Sequence, residues 1–121
     1  MPNILIVDDD RETCTFMTEL LSQPDREILT AHDPTAAMAL MARRPFDLIV
    51  SDINLNARSS GLDLLREFKT NQPAGQVVLI SGFGTLETAI EALRAGAFDY
   101  VSKPFNIGEI KATVERALAQ A

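Results

Sequence analysis

The chain has 121 residues, a length that suits one domain over residues 1–121 and leaves no room for a second of ordinary size. A hydrophobic content of 46% and a charged content of 23% are typical of a globular protein with its own core. The net charge of −6 argues against direct nucleic-acid binding, and a single cysteine, Cys14, excludes an intrachain disulfide. No apolar run approaches the roughly 20 residues of a membrane span, and no signal-peptide pattern is present. We therefore expect a soluble, cytoplasmic protein without a membrane segment.

Short apolar runs alternate with helical patterns along the whole chain. The first half predicts a strand over 4–7, a helix over 11–22, a strand over 27–31 and a helix from Asp33–Pro34 to Pro45. The second half predicts strands over 47–51, 77–80 and 98–102, each followed by a helix, over 62–69, 85–95 and 106–119. Five strand–helix units with continuous apolar strands predict a doubly wound parallel sheet with helices on both faces.

Helix ends carry recognisable signals. Asp33, Thr85 and Asn106 are candidate N-caps, and Gly96 is a candidate C-cap. Apolar residues at helical spacing predict the inward-facing side of three helices. These residues are Phe16, Met17, Leu20 and Leu21 in the first helix, Leu62, Leu65 and Phe68 in the third, and Ile107, Ile110, Val114 and Leu118 in the last.

Polar side chains collect where the predicted strands end. The first, third, fourth and fifth strands end in Asp8-Asp9-Asp10, Ser51-Asp52, Ser81-Gly82 and Ser102-Lys103-Pro104. Ligands of open parallel sheets bind at this edge. Like charges this close need a compensator, and Mg²⁺ suits a few carboxylates with retained waters. Carboxylate, cation, lysine and hydroxyl together suit phosphoryl transfer, with Asp52 as the nucleophile and Asp8 and Asp9 holding the metal.

Each of these features also has a plainer interpretation when taken alone. Asp8 to Asp10 could cap the first helix. The only histidine, His32, follows a strand end that offers little, and we expect a solvent-exposed or structural role for it. Cys14 is expected to be a helix residue without chemistry. The conjunction of acids, serine and lysine in strand order is what favours a functional site.

The runs ILIVDDD, LIVSD, LISG and YVSKPF, in this order, closely resemble the receiver domains of two-component response regulators. The resemblance covers essentially the whole chain. It implies strand order 2-1-3-4-5 and a signalling domain that catalyses only its own phosphorylation and dephosphorylation.

By this resemblance, Asp52 accepts a phosphoryl group from a histidine of a sensor kinase or phosphotransfer protein. Asp8 and Asp9 belong to the Mg²⁺ pocket, with Asp9 favoured as the direct ligand, and Asn54 contributes its backbone carbonyl. Ser81 and Lys103 bind the phosphoryl group, and Tyr100 is the aromatic residue whose rotamer follows the switch. A cis peptide is expected at Lys103–Pro104.

The resemblance also implies that phosphorylation changes one surface of the domain. The surface of the fourth helix, fifth strand and fifth helix is read by an output domain or another partner, and homodimerisation is a further option. The segment GTLETAIEALRAGAFDYVSKPF is similar to receivers attached to transcriptional activators of the nitrogen-regulator type.

One loop departs from the family pattern. Asn56 replaces the usual proline, and Gly61 stands nine residues after Asp52 instead of eight. The segment from Asn56 to Ser60 borders the metal site, so metal affinity or phosphate lifetime can differ from the family norm.

Three other classes of protein compete with this interpretation. A haloacid-dehalogenase-like phosphatase would use Asp8 as nucleophile with Asp10, but Glu12 stands where a threonine is usual. A flavodoxin-like cofactor carrier would need a phosphate loop where Asp8 to Asp10 stand. A pseudo-receiver would be a binding module that is never phosphorylated. Phosphate trapping separates these classes, since the phosphatase would be labelled on Asp8 and the receiver on Asp52.

Overall fold

A computed structural model describes residues 2–53, 61–82, 86–103 and 106–120 of the protein. Its strands are β1 (Asn3–Val7), β2 (Glu27–Ala31), β3 (Leu48–Asp52), β4 (Gln76–Ser81) and β5 (Asp99–Ser102). Its helices are α1 (Arg11–Leu21), α2 (Pro34–Arg43), α3 (Gly61–Asn71), α4 (Leu86–Arg94) and α5 (Ile107–Gln120). The predicted alternation is confirmed, with boundaries shifted by one or two residues.

The five strands form one parallel sheet in the order β2-β1-β3-β4-β5. This is the doubly wound order that the resemblance implied. The register aligns the strand ends, because Val7 is paired with Ala31 and Ser51, and Ser81 is paired with Ser102. The residues that come after these strands therefore emerge at a single edge of the sheet.

The core consists of two apolar layers, one on each face of the sheet, because alternate strand residues point to opposite faces. The α2–α3–α4 layer packs against one face, with Ala37, Met41, Leu64, Leu65, Phe68 and Ala92 as its buried helix residues. The α1–α5 layer packs against the other, with Cys14, Met17, Leu21, Ile110, Val114 and Ala117. Both faces of every central strand are thereby covered, as the continuous apolar runs predicted.

Two of the predicted N-caps and the predicted C-cap are confirmed. The Asp33 carboxylate accepts from Ala36 N–H at 2.7 Å, and Asn106 Oδ1 accepts from Gly108 N–H at 2.8 Å. Gly96 follows α4 at φ +108°, a left-handed conformation that side chains rarely adopt. Thr85, the third candidate N-cap, lies outside the described residues.

The predicted helix faces need three corrections. Phe16 is 44% exposed and Ile107 52% exposed, although both were expected to face the core. The buried stripe of α1 runs instead through Cys14, Met17 and Leu21, which leaves Phe16 on the flank of the helix. Ile107 stands in the first turn of α5, ahead of its first buried residue. In α3 the side chain fully buried beside Leu65 and Phe68 is Leu64, whereas Leu62 is half-buried.

Across the described ranges, no helix combines the length and apolar character needed to cross a membrane.

Candidate functional site

The ends of β1 and β3 bring three carboxylates together. Asp8 and Asp9 directly follow β1, and Asp52 is the last residue of β3. One carboxylate oxygen from each of the three lies within 4.8 Å of the other two. Asp8 is buried, Asp52 is half-buried and Asp9 is exposed, so the cluster opens to solvent on the side of Asp9. In the described part of the chain, this is the one group of acidic, histidine or cysteine residues that can hold a metal ion.

The donor set suits a hard divalent cation. Carboxylate oxygens are the ligands that Mg²⁺ prefers, and in an octahedral shell with bonds of about 2.1 Å, two ligands are separated by roughly 3 to 4 Å. A separation of up to 4.8 Å needs only a slight closure to reach that range. The open side at Asp9 leaves room for the waters that Mg²⁺ retains.

Lys103, just beyond β5, supplies the positive charge of the site. Its Nζ lies 3.0 Å from Asp52 Oδ2 and 3.4 Å from Asp8 Oδ2. Its backbone N–H donates to the Ser81 carbonyl at 2.8 Å, so the end of β4 fixes the base of the lysine. The ammonium group bridges two carboxylates that the sequence separates by 44 residues.

The charges in the site shift the pKa values of its members. Burial raises the pKa of Asp8, and the nearby Asp52 charge adds to this, against the opposing hydrogen bond from Asp10 N–H and the charge of Lys103. Burial by itself would lower the pKa of Lys103, but the hydrogen bond and charge of Asp52, with help from Asp8, raise it. Among the described residues the site holds three carboxylates and one ammonium group, so a divalent cation would reduce the repulsion between the acids.

Asp10, the third acid of the run, points away from the cluster and caps α1. Its carboxylate accepts from Glu12 N–H at 3.0 Å and from the Thr13 hydroxyl at 2.9 Å. The hydrogen bond from Thr13, followed by that from Glu12, lowers the pKa of Asp10. The capping interpretation therefore holds for Asp10, while Asp8 and Asp9 join the acid cluster.

Of the two candidate switch residues, Ser81 is the last residue of β4 and Tyr100 lies within β5. Ser81 is buried and its strand position is paired with Ser102, next to Lys103. Tyr100 is half-buried and packs against the α2–α3–α4 layer. Its hydroxyl oxygen is buried and has no hydrogen-bond partner among the described residues, which is costly for a polar group. The side chain thus occupies an apolar position that does not satisfy its hydroxyl.

Three of the sequence-based expectations fall outside the described residues: the Asn54 carbonyl, the Lys103–Pro104 peptide, and the segment from Asn56 to Ser60. The displaced glycine, Gly61, is described. It begins α3 directly against the acceptor strand, where an added Cβ would lie 2.5 Å from the Asp52 carbonyl oxygen. Gly61 N–H donates to the Ile53 carbonyl at 3.0 Å. The glycine is required sterically, because any side chain there would collide with the backbone of the predicted acceptor.

Sequence reasoning missed one contact of the site. Cys14 Sγ lies 3.4 Å and His32 Nδ1 lies 3.3 Å from the main-chain carbonyl oxygen of Asp8. Neither residue was expected to contact the acid residues. Cys14 is also buried, and this burial raises the pKa of its thiol. The position of His32 immediately after β2, beside the end of β1, was the available signal.

Together the sheet and its acidic edge define a doubly wound α/β domain with a cation-compatible carboxylate site at the carboxyl ends of its strands. The profile of the response regulator receiver domain matches residues 4–115. The chain therefore belongs to this family, the receiver domains of two-component signalling, which are signalling domains and not classical enzymes.

Similar proteins support the same assignment. The chain is 37% identical to the transcriptional regulatory protein ZraR of Salmonella typhimurium over 117 residues, which cover 97% of this chain and 26% of that protein. It is 40% identical to the nitrogen assimilation regulatory protein NtrX of Azorhizobium caulinodans, covering 96% of this chain and 26% of that protein. The crystal structure of the receiver domain of NtrX from Brucella abortus superposes with a TM-score of 0.90 at 39% identity, covering 98% of this chain and 99% of that one. The chain thus spans about a quarter of the curated relatives.

Proposed function

We propose that residues 1–121 form one receiver domain that accepts a phosphoryl group on Asp52 in a cytoplasmic phosphorelay. The donor is a phosphohistidine of a sensor kinase or of a histidine phosphotransfer protein. The observation that carries this proposal is the cluster of Asp8, Asp9 and Asp52 within 4.8 Å, with Lys103 Nζ 3.0 Å from Asp52 Oδ2. A phosphoryl-transfer site needs carboxylates that can hold its metal ion and a positive charge that can pair with the phosphoryl oxygens.

This geometry supports a direct transfer from the phosphohistidine to Asp52. An oxygen of Asp52 attacks phosphorus, a P–O bond forms, and the P–N bond of the phosphohistidine breaks with its electron pair leaving on the imidazole nitrogen. Lys103 is positioned to pair with an oxygen of the bound phosphoryl group, and the Ser81 hydroxyl is proposed to bond another. A water attacking phosphorus later returns Asp52 to its carboxylate form and releases phosphate.

Mg²⁺ is the proposed cofactor, held by Asp8, Asp9 and Asp52, with the Asn54 carbonyl as the further protein ligand that the family resemblance implies. Bound there, it would neutralise charge on the phosphoryl oxygens. The cluster that the three carboxylates form supports this assignment through its oxygen-only donors and its opening to solvent at Asp9.

The proposed readout is the surface formed by α4, β5 and α5. Phosphorylation adds charge and acceptor oxygens that attract Ser81 and Lys103, and Tyr100 responds to the space that this movement changes. The surface offers apolar side chains to a partner, since Leu86, Ile90, Leu93 and Ile107 are 78, 40, 49 and 52% exposed. We propose that an output domain or a second copy binds there. The names of the relatives, ZraR and NtrX, suggest that the output is transcriptional.

Phosphate trapping tests the proposal. Acetyl phosphate with Mg²⁺ should add one phosphoryl group to the chain, measured by intact-protein mass spectrometry and located by peptide mapping. Asp52→Asn should abolish the addition, and a chelator should suppress it in the unmodified chain. Asp10→Asn is the matched control, because asparagine also caps helices well and Asp10 lies outside the acid cluster.

Each other outcome favours a different class of protein. Label on Asp8 would point to the phosphatase mechanism and would overturn the role of Asp52. An unmodified chain that takes up no phosphate from acetyl phosphate or from a phosphorylated histidine protein would be a pseudo-receiver, a binding module only.

A further inference from the structure

The main-chain carbonyl of Asp8 is held by two side chains that the phosphorylation site does not otherwise use. Cys14 Sγ lies 3.4 Å and His32 Nδ1 3.3 Å from this oxygen, and the two side-chain atoms lie 3.5 Å apart. Cys14 comes from α1 and His32 follows β2, so two separate elements converge on one peptide group. Because a carbonyl only accepts, the His32 contact is a hydrogen bond in the tautomer that carries its proton on Nδ1, and the two lone pairs of the oxygen can then accept from both side chains.

This carbonyl lies just beyond the paired part of the sheet. β1 ends at Val7 and β2 at Ala31. The neighbouring groups of Asp8 have their own partners: its N–H donates to the Ala31 carbonyl at 3.1 Å, and its Oδ1 accepts from Asp10 N–H at 2.9 Å. The contacts from Cys14 and His32 therefore complete the fixation of Asp8, at the point where the chain leaves the sheet.

The direction of the Asp8 carbonyl decides where the next residue goes. The peptide from Asp8 to Asp9 is planar, so fixing its C=O also fixes the N–H and the Cα of Asp9. Asp9 is the exposed member of the acid cluster. Its side chain has more freedom than that of buried Asp8, and the orientation of its backbone is the main constraint on its carboxylate.

We propose that Cys14 and His32 are positioning residues for the acid site. By holding the Asp8 carbonyl from two sides, they fix the angle at which Asp9 leaves β1 and place its carboxylate for the divalent cation. This inference rests on the proposed function, since it concerns the cation that the acid cluster would bind. Outer contacts that orient ligands typically change metal affinity by about 10-fold or more when they are removed.

Paired variants test the role of each donor. His32→Leu removes the N–H while retaining a side chain of similar bulk, and His32→Asn restores a donor near the position of Nδ1. Cys14→Ala and Cys14→Ser form the corresponding pair in α1. The probe is Mg²⁺ alone, titrated against each full chain by calorimetry, with urea unfolding of the metal-free chain recorded alongside.

Donor loss should weaken Mg²⁺ binding by about 10-fold in His32→Leu, and His32→Asn should recover most of this loss. In the metal-free chain, the amide resonances of Asp9 and Asp10 should shift in His32→Leu and return toward their original positions in His32→Asn. A purely structural role predicts lower stability with unchanged Mg²⁺ affinity and unchanged Asp9 resonance. In the same way, Cys14→Ala should weaken Mg²⁺ binding, and Cys14→Ser, which keeps a donor, should recover most of this loss.

The outcomes separate this inference from the proposed function. Equal Mg²⁺ affinity in the unmodified chain and in both donor-deficient variants would overturn the positioning role and leave the proposed site intact. An unmodified chain that does not bind Mg²⁺ would overturn the proposed site and this inference with it.

Discussion

The two ends of the sheet differ in how their charged side chains are paired. At the amino ends of β1 and β2, Arg44 donates to both carboxylate oxygens of Glu27 at 2.9 and 3.0 Å and to Asn3 Oδ1 at 3.2 Å. Asp47 accepts from the Asn3 N–H at 2.7 Å. Arg44 lowers the pKa of Glu27. Glu27 and Asp47 at this end therefore each have a matching donor.

At the carboxyl ends, three carboxylates share one lysine, and the pKa of Asp8 is raised where that of Glu27 is lowered. At the amino end, Glu27 and Asp47 have donors that stabilise the fold. At the carboxyl end, the described residues hold more carboxylates than cationic groups, and a cationic ligand would offset the difference. Such an imbalance is a physical criterion for a functional site in this sheet. Substitutions at the amino end should therefore change mainly the stability of the chain, whereas substitutions at the carboxyl end should also change ligand binding.

The largest expected effect is steric and falls on Gly61. An alanine Cβ would lie 2.5 Å from the Asp52 carbonyl oxygen and 2.7 Å from Ile53 Cα, and backbone atoms cannot easily move aside. We expect Gly61→Ala to lower the free energy of unfolding by roughly 2 to 3 kcal/mol, measured by urea denaturation. Gly82→Ala is the control at another strand end, because among the described residues its Cβ would meet only Lys103 atoms, at 3.9 Å. Equal stability in the two variants would contradict the close approach of α3 to β3.

Removing Lys103, the cation that contacts the acid cluster among the described residues, should change ligand binding more than folding. Lys103→Gln deletes the charge that lies 3.0 Å from Asp52, so Mg²⁺ affinity should rise about 10-fold, in line with about 1 to 2 kcal/mol for a charge at this distance in a partly exposed site. Phosphorylation by acetyl phosphate should nevertheless slow. Arg44→Gln, at the amino end, should lower stability only slightly and leave Mg²⁺ affinity unchanged. A rise in affinity in both variants would indicate only an overall charge effect.

Neutralising Asp8 should stabilise the metal-free chain. The pKa of Asp8 is raised above its ordinary value of 3.8, so between these two pKa values the folded chain holds a proton that the unfolded chain has lost. The destabilising effect of ionised Asp8 is therefore absent below pH 3.8 and develops as the pH rises through the pKa of Asp8 in the folded chain. Asp8→Asn should thus gain about 1 kcal/mol at neutral pH, and the gain should shrink toward pH 4.

The control for Asp8 is again at the amino end. Asp47→Asn weakens an acceptor that is already matched, so it should lose stability at neutral pH instead of gaining it. The comparison is made by urea unfolding at several pH values without divalent cations. A loss of stability in Asp8→Asn at neutral pH would refute the idea of excess charge at the carboxyl end.

Much of the architecture was predictable because it depends on short-range pattern. The apolar runs located each strand, and Asp33 and Asn106 located helix starts through local capping chemistry. Asp8, Asp52 and Lys103 could be placed together before any coordinates, since parallel strands deliver their carboxyl ends to one edge. We expected Phe16 and Ile107 to face the core, and this was wrong. Helical spacing predicts which side of a helix is apolar, but not how much of that side the rest of the protein covers.

The contacts that the sequence analysis left open or missed depend on exact three-dimensional placement. That Asp10 turns back to α1 while Asp9 joins the acid cluster depends on the backbone path after β1. The approach of Cys14 and His32 to the Asp8 carbonyl requires the packing of α1 against β1 and β2. The steric reason for Gly61 likewise emerges only once α3 lies against β3. Neither hydrophobic period nor motif spacing carries this information.

The smallest expected effect concerns Tyr100, whose hydroxyl is a second unbalanced group, neutral this time, near the carboxyl end of β5. Within the described ranges this buried oxygen has no hydrogen-bond partner, so deleting it removes a desolvated polar atom and leaves the ring packing against the α2–α3–α4 layer. Tyr100→Phe should raise the free energy of unfolding by about 0.5 to 1 kcal/mol in the unphosphorylated, metal-free chain. Thr113→Val is the control, since Thr113 is also buried but its hydroxyl accepts from Arg116 at 3.3 Å, and its loss should not stabilise the chain. If Tyr100→Phe instead lowers stability, the hydroxyl has a partner in solution, and the switch would then start from a satisfied tyrosine.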